Sequence, residues 1–253
     1  MGTNIGIEIE KRIINELFGK RVKELSPFWQ GMMKKMFTNV QDRSVVVARH
    51  VPAYMGCKTD IEIKLERELK LISVKSGACP HIHQEKIVYF LDFLKEEGIS
   101  EKTRNFVAYY LFADGSIDGT GNKFLKAKDI EIKYNDAFKE ANEELSNEEF
   151  ARKLLYRCVI KGRKETRKEI DYVYYGDENH GYLISKEEIL NICSKKDTSH
   201  YNCLHGGVLM LRRKSRIDRH DETKRDNRYL QLRWPSLVYD FDRIARNQIY
   251  NTQ

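Results

Sequence analysis

Residues 60–85 read DIEIKLERELKLISVKSGACPHIHQE, and the fold of the chain turns on this stretch. Ile61, Ile63 and Leu65 alternate with Asp60, Glu62 and Lys64, and Ile72 and Val74 alternate with Leu71, Ser73 and Lys75. A period of two marks half-buried strands, because successive side chains of a strand point to opposite faces. The polar break Glu66-Arg67-Glu68 lets the two runs fold back on each other as a hairpin. Mirroring them about the 67–68 bond sets Asp60 against Lys75 and Glu62 against Ser73. Directly opposed residues share a face, with Cβ atoms about 4.5–5.5 Å apart. Ile61 and Ile63 then meet Val74 and Ile72 on the buried side. The polar face gathers a carboxylate and an ammonium at one end of a sheet.

The chain around this hairpin has 253 residues, enough to bury a substantial core in one domain. Hydrophobic residues make up 41% and charged residues 33%, which excludes a disordered chain and predicts a charge-rich globular one. The formal net charge of +7 favours an anionic partner, nucleic acid ahead of acidic lipid. No apolar run approaches the ~18–20 residues that cross a bilayer. The opening MGTNIGIEIEKR has neither the basic start nor the apolar centre of a secretory signal, and no Ser or Thr at the sixth position for myristoylation. Five cysteines (57, 79, 158, 193 and 203) form no CxxC pair, so the expectation is reduced thiols in a cytoplasmic protein without membrane attachment.

Before the hairpin, residues 4–25 read as an amphipathic helix, with Ile9, Ile13 and Leu17, and Ile14 and Phe18, at four-residue spacing. Ser26-Pro27 stops it, and an irregular segment with Trp29 and three methionines follows. SVVVARHV (44–51) has the β-branched run of a strand. After the hairpin, Pro80 is placed to open a helix striped by Ile87, Phe90, Leu91 and Leu94 and closed by Gly98. A second helix runs from Ser100 to about Tyr110, residues 113–123 form a Gly/Asp-rich loop, and helix is expected from about Ile130 to Cys158. Residues 170–176 read as a strand and 185–193 as a helix with a capping box, Ser185 with Glu188. The stretch 206–241 reads as β-rich, two alternating runs around a highly charged connection. No repeat or linker is apparent, so one compact unit is expected.

Cleaving a phosphodiester requires neutralised non-bridging oxygens and an activated water, which one or two Mg²⁺ ions held by carboxylates supply. A lysine beside them stabilises the extra negative charge of the pentacovalent species. The hairpin offers Asp60 as the principal metal ligand and Lys75 as the electrostatic helper. These residues resemble the PD-(D/E)xK nuclease superfamily, the fold of most type II restriction endonucleases. The family pattern carries an acid two residues before the lysine, where this chain has Ser73. That departure resembles a variant site in which Ser-x-Lys replaces Glu-x-Lys and the glutamate has moved to the following helix; Glu85, ten residues after Lys75, has that place. VKSGACPHIHQEK is similar to the block that follows the hairpin in those enzymes. A helix opening near Pro80 would also direct its N-terminal amides at the site. GIEIEKRIINEL resembles the family's first helix, which implies a further glutamate at Glu10, with Glu8 its competitor and Glu62 another possible carboxylate.

Resemblance thus implies a catalytic set of Asp60, Ser73, Lys75, Glu85 and Glu10, with Asp60, Glu85 and Glu10 on the metal. His83 and Gln84 would cap the helix or contact a phosphate. Arg212, Arg213, Lys214, Arg216, Arg219, Lys224, Arg225 and Arg228 are candidates for DNA contacts: arginine reads guanine bidentately, and phosphate contacts position the duplex. Cys193, His200, Cys203 and His205 do not match the spacing of a closed zinc site and read as loop residues. No Walker A, GxGxxG or GxSxG motif is present.

The expected architecture is α/β, a restriction-endonuclease-like core with a mixed central sheet flanked by helices and a β-rich C-terminal recognition region. It would be a single nuclease domain, 1–125 holding the catalytic core and 126–253 DNA recognition and dimer contacts. The resemblance implies Mg²⁺-dependent, sequence-specific hydrolysis of double-stranded DNA leaving 5′-phosphate and 3′-hydroxyl ends. It also implies a homodimer on a palindromic site and a DNA methyltransferase as functional partner. The alternatives are a repair nuclease or junction resolvase of the same fold, and a non-catalytic nucleic-acid-binding protein.

Overall fold

Ile9, Ile13 and Leu17 form the buried face of the first helix, α1 (Ile5–Leu17). In the computed structural model the described residues are 5–52, 58–77, 81–162, 168–192, 203–213 and 229–251, the last five by backbone alone. They form two compact units, Met1–Pro80 with Tyr156–Ile192 and Ser236–Gln253, and His81–Leu155 with Cys193–Pro235. Each unit draws chain from both sides of residue 125.

In the first unit α1 ends well short of residue 25, because Gly19 takes a left-handed φ of +77°. A 3₁₀ turn (Val22–Glu24) leads into α2 (Pro27–Met36). Ser26 and Pro27 open this helix as well as ending the preceding segment: the Ser26 hydroxyl accepts from the Trp29 amide at 3.4 Å and Pro27 takes the first position. Residues expected to be irregular are therefore helical, and Trp29 and Met33 enter the core.

Strands β1 (Val46–His50), β2 (Ile61–Leu65), β3 (Glu68–Lys75), β5 (Tyr172–Gly176) and β6 (Gly181–Ser185) form a sheet in the order β1-β2-β3-β5-β6. It is mixed: β3 and β5 are parallel and the other pairs antiparallel. One face packs Val46, Ala48, Ile61, Ile63, Leu65, Ile72, Val74, Tyr174 and Leu183 with the apolar residues of α1 and α2. Trp29 lies 5.4 Å from the Tyr174 ring and donates its indole N–H to the Glu178 carbonyl at 2.8 Å, so its polar tip is satisfied as its body is buried. On the other face, Tyr182 donates to Asp242 of α9 (Leu237–Asn251) at 3.0 Å. The sheet is flanked by helices on both sides. The expected capping box opens α8 (Lys186–Ile192): the Glu188 carboxylate accepts from the Ser185 amide at 2.8 Å, and the Ser185 hydroxyl accepts from the Glu188 amide at 3.3 Å.

The second unit holds an antiparallel sheet of β4 (His81–Lys86), β9 (Tyr229–Arg233), β8 (Leu209–Arg213) and β7 (His205–Gly206), in that order. Its helices include α3 (Ile87–Glu96), closed by Gly98 at φ +75°, and α4 (Glu101–Phe112), capped by Ser100. The helix expected from Ile130 is broken into α5 (Ala127–Lys133), α6 (Asn135–Leu145) and α7 (Glu148–Leu155), with non-helical angles at Tyr134 and a break at Ser146-Asn147.

Candidate active site

The β2–β3 turn is tighter than the sequence mirror implies. Leu65 pairs with Glu68, so only Glu66-Arg67 connects the strands, and Ile61 pairs with Ile72. The register is therefore shifted by two residues. A shift of one would have turned every side chain to the other face, whereas a shift of two leaves the faces as they were. Continued one step, it brings Asp60 against Ser73 rather than Lys75. The tight turn places Glu66 at φ +52°, a conformation that side chains with a Cβ resist.

Asp60 sits immediately before β2, beside the last residues of β3. Its Oδ2 accepts three hydrogen bonds: from the Val74 amide at 2.7 Å, the Ser73 hydroxyl at 2.9 Å and the Lys75 ammonium at 3.2 Å. Lys75 Nζ also donates to Ser73 Oγ at 2.6 Å and to the Val74 carbonyl at 3.0 Å, so the three protons of the ammonium have three acceptors. Ser73, buried at 1% exposure, accepts from Lys75 and donates to Asp60, linking the two charges. All three donors to Asp60 converge on Oδ2, which leaves Oδ1 outside the network.

Glu10 joins this end of the sheet from α1. It is buried, and its Oε2 lies 3.0 Å from His50 Nε2 at the end of β1. Burial, then the negative charge of Asp60, push its carboxyl above the usual glutamate range, while His50 and Lys75 act in the opposite sense. Of the three competing glutamates, Glu8 is exposed in the first turn of α1, and Glu62 pairs with Arg49 at 2.5 Å. His50 was not anticipated. The signal was in SVVVARHV, whose pairing with β2 sets His50 opposite Ile61 at the Asp60 end.

Glu85 does not lie on a helix. Residues 81–86 form β4, and α3 begins only at Ile87. The reason is long-range: Glu85 and Lys86 pair with Leu230 and Tyr229, and this ladder captures a segment whose local signals favoured helix. Glu85 is buried, with Oε1 3.3 Å from His83 Nε2. His83 and Gln84 are likewise strand residues and not helix caps, and no helix opens at residue 81 to direct amides at the hairpin. Arg212 and Arg213 end β8, while Lys214, Arg216, Arg219, Lys224, Arg225 and Arg228 lie outside the described residues. Cys193 and His200 also lie outside them. Burial raises the Cys203 thiol to about 11, and His205 Nδ1 is 2.8 Å from the Cys203 carbonyl, so both are bound into local structure.

Among the described residues no group of three or more His, Cys, Asp or Glu side chains is placed to hold a metal ion. The hairpin end nevertheless suits a hard cation: Asp60 Oδ1 is left out of the network, and Glu10 is held toward its neutral form by burial and by Asp60. Mg²⁺ is commonly held by one or two carboxylates, completing its shell with water and substrate phosphate.

No family model matches the chain, and no curated protein matches its sequence. Among solved structures, the chain is similar to the restriction endonuclease MspI in complex with its cognate DNA, with a TM-score of 0.53 and 12% sequence identity. The match covers 81% of this chain and 76% of that one. This is a restriction-endonuclease-like fold. Within it, the five-stranded sheet carries the hairpin, and Asp60, Ser73 and Lys75 share its one end.

Proposed function

We propose that this protein is a type II restriction endonuclease, hydrolysing double-stranded DNA at a short specific sequence with Mg²⁺. The observation that carries the reading is the Asp60–Ser73–Lys75 network, with Glu10 beside it, at one end of the sheet. Asp60 and Glu10 would hold the metal, and Glu85 is the third acid that the family resemblance assigns. A divalent ion, when bound there, supplies charge neutralisation to the phosphate and makes water more acidic.

The chain's own groups do the rest. Lys75 brings its ammonium, already oriented by three acceptors, to the phosphoryl oxygens as negative charge builds on them, so little reorganisation is required during reaction. Ser73 positions that ammonium and donates its own proton to Asp60. His50 holds Glu10 in its buried place. Water attacks phosphorus, the P–O3′ bond breaks, and the products are a 5′-phosphate and a 3′-hydroxyl. Palindromic sites would be met by a homodimer, and a methyltransferase would protect the host's own copies.

The test is digestion of a sequenced phage DNA with Mg²⁺, followed by sequencing of fragment ends. Discrete fragments sharing one sequence, lost with EDTA and lost in Asp60→Ala and Lys75→Ala while DNA binding persists, are the expected result. Glu85→Gln in the same assay decides whether that acid acts. Nicking confined to branched DNA would replace the reading with a resolvase, and binding without cleavage would replace it with a recognition module.

A further inference from the structure

The sheet of the second unit has one apolar face and one polar face. Leu211, Leu230 and Leu232 are fully buried on the first. The register places Gln84 opposite Gln231 and Gln231 opposite Arg212, so these three side chains stand in one row across β4, β9 and β8. Directly opposed residues share a face, and the row belongs to the polar side: Gln84 and Arg212 are exposed and Gln231 half-buried. Among the described residues, none has a hydrogen bond to any of these three heads. The next row pairs His81 with Arg233, whose guanidinium lies 3.1 Å from the imidazole, and Lys86 stands at the other end beside Tyr229. The outward positions of the three strands thus include three cations and no Asp or Glu. Glu85 and Arg213, opposed to Leu230, belong to the other face.

We propose that this face reads base sequence, with Gln84, Gln231 and Arg212 making the base contacts and Arg233 and Lys86 holding the flanking phosphates. This deepens the nuclease reading and rests on it for the identity of the ligand as duplex DNA. Neighbouring strands are about 4.8 Å apart, so the row spans about 10 Å, three base-pair steps of about 3.4 Å. Two-stranded ribbons and sheets enter the grooves of duplex DNA, the major groove being about 12 Å wide. A primary amide offers a donor and an acceptor side by side, which matches the N6 and N7 edge of adenine, and a guanidinium matches O6 and N7 of guanine. A merely solvated face would not be expected to line up three such heads with no carboxylate among them. Arg213, adjacent in sequence to Arg212, is engaged elsewhere, since its side chain lies over Phe124 at 5.3 Å and donates to the Leu125 carbonyl at 3.4 Å.

The test uses the full chain and a pool of duplexes randomised over the central bases, with sequencing of the bound fraction in EDTA and again in Ca²⁺. Wild type is expected to enrich a motif under one of the two conditions. Gln84→Ala, Gln231→Ala and Arg212→Ala are each expected to flatten the preference at a distinct position, by on the order of 10- to 100-fold. Gln231→Glu, equal in size but acceptor-only, is expected to shift preference toward cytosine at its position. Thermal melts matching wild type secure the folding of each variant. An unchanged motif in all four variants, a loss of binding uniform over all sequences, or no enrichment by wild type overturns the proposal. Because selection needs no cleavage, a protein that selects through these residues without cutting sustains this inference and sinks the nuclease. One that cuts at a motif these variants leave alone does the reverse.

Discussion

Replacing Ser73 by alanine tests whether the hairpin cluster is one device or a chance meeting of polar groups. The hydroxyl donates to Asp60 at 2.9 Å and accepts from Lys75 at 2.6 Å, and both partners are charged. A hydrogen bond to a charged group contributes about 1.5–3 kcal/mol net, which sets a ceiling of roughly 3–6 kcal/mol for the two. The loss should fall below that ceiling. Asp60 keeps the Val74 amide and Lys75 keeps Asp60 and the Val74 carbonyl, and with side-chain exposures of 28% and 16% both can recruit water. A loss of about 2 kcal/mol is therefore expected. It should appear as a lower urea midpoint at unchanged slope in metal-free protein. Cleavage should fall by about 10- to 100-fold with DNA affinity unchanged, since Lys75 loses one of the acceptors that aim it. A double-mutant cycle with Lys75→Met separates the accounts: linked residues give a coupling of about 0.5–3 kcal/mol. A Ser73→Ala variant within about 0.5 kcal/mol of wild type, together with a coupling near zero, would make Ser73 a small strand residue with no part in aligning Asp60 and Lys75.

Two further outcomes follow from the geometry. Because burial and Asp60 raise the Glu10 carboxyl above its ordinary 4.5, its contribution to metal-free stability is in full below that value and declines as pH rises through the folded-state value. Glu10→Gln should flatten that decline, and Mg²⁺ should raise the wild-type melting temperature more at about pH 8 than at about pH 5 but do little for the variant; a steeper decline in Glu10→Gln would contradict the assignment. Glu66→Gly should stabilise the hairpin by about 0.5–1 kcal/mol in thermal or urea unfolding, because Glu66 holds φ +52° and glycine adopts it without a Cβ penalty; a destabilised variant would show that the Glu66 side chain contributes more than its backbone costs.

The hairpin was legible because its signal is local. Alternation over residues 60–75 fixes which side chains share a face, and that survives an error of two in register, so Asp60, Ser73 and Lys75 were brought together from sequence even though the turn was misplaced. Glu10 was legible for a similar reason, since the Ile9, Ile13 and Leu17 stripe sets the orientation of α1. What failed was decided at a distance. HIHQEK became strand because YLQLR, far along the chain, pairs with it, and neither Pro80 nor the stripe beginning at Ile87 carries that information. The end of the chain erred in the opposite sense. Leu237 and Phe241 sit four residues apart and are buried, and the Ser236 hydroxyl donates to Asp240 at 2.8 Å, so α9 forms where an apolar run suggested strand. GYLIS passed unread as a strand because it gains its partner only once β5 stands beside it.

Within the proposed site, the serine explains why the second carboxylate comes from a helix. An acid at position 73 would be almost wholly buried within hydrogen-bond reach of Asp60, with Lys75 the charge at hand to offset both. Two carboxylates so placed resist joint ionisation, and one would be held protonated until a cation arrived. Serine removes that conflict. Asp60 then serves Val74, Ser73 and Lys75 through Oδ2, and the like-charge conflict is transferred to Glu10, which His50 steadies from β1. The hairpin can therefore be satisfied without metal, while Glu10, held toward its neutral form by burial and by Asp60, is the carboxyl that a divalent ion would draw into its charged form. Cation affinity should accordingly depend on α1 as well as on the hairpin. Ile9, Ile13 and Leu17 of α1 belong to the same buried cluster as Ile61, Ile63 and Val74, so core packing and metal affinity would be coupled through one short helix.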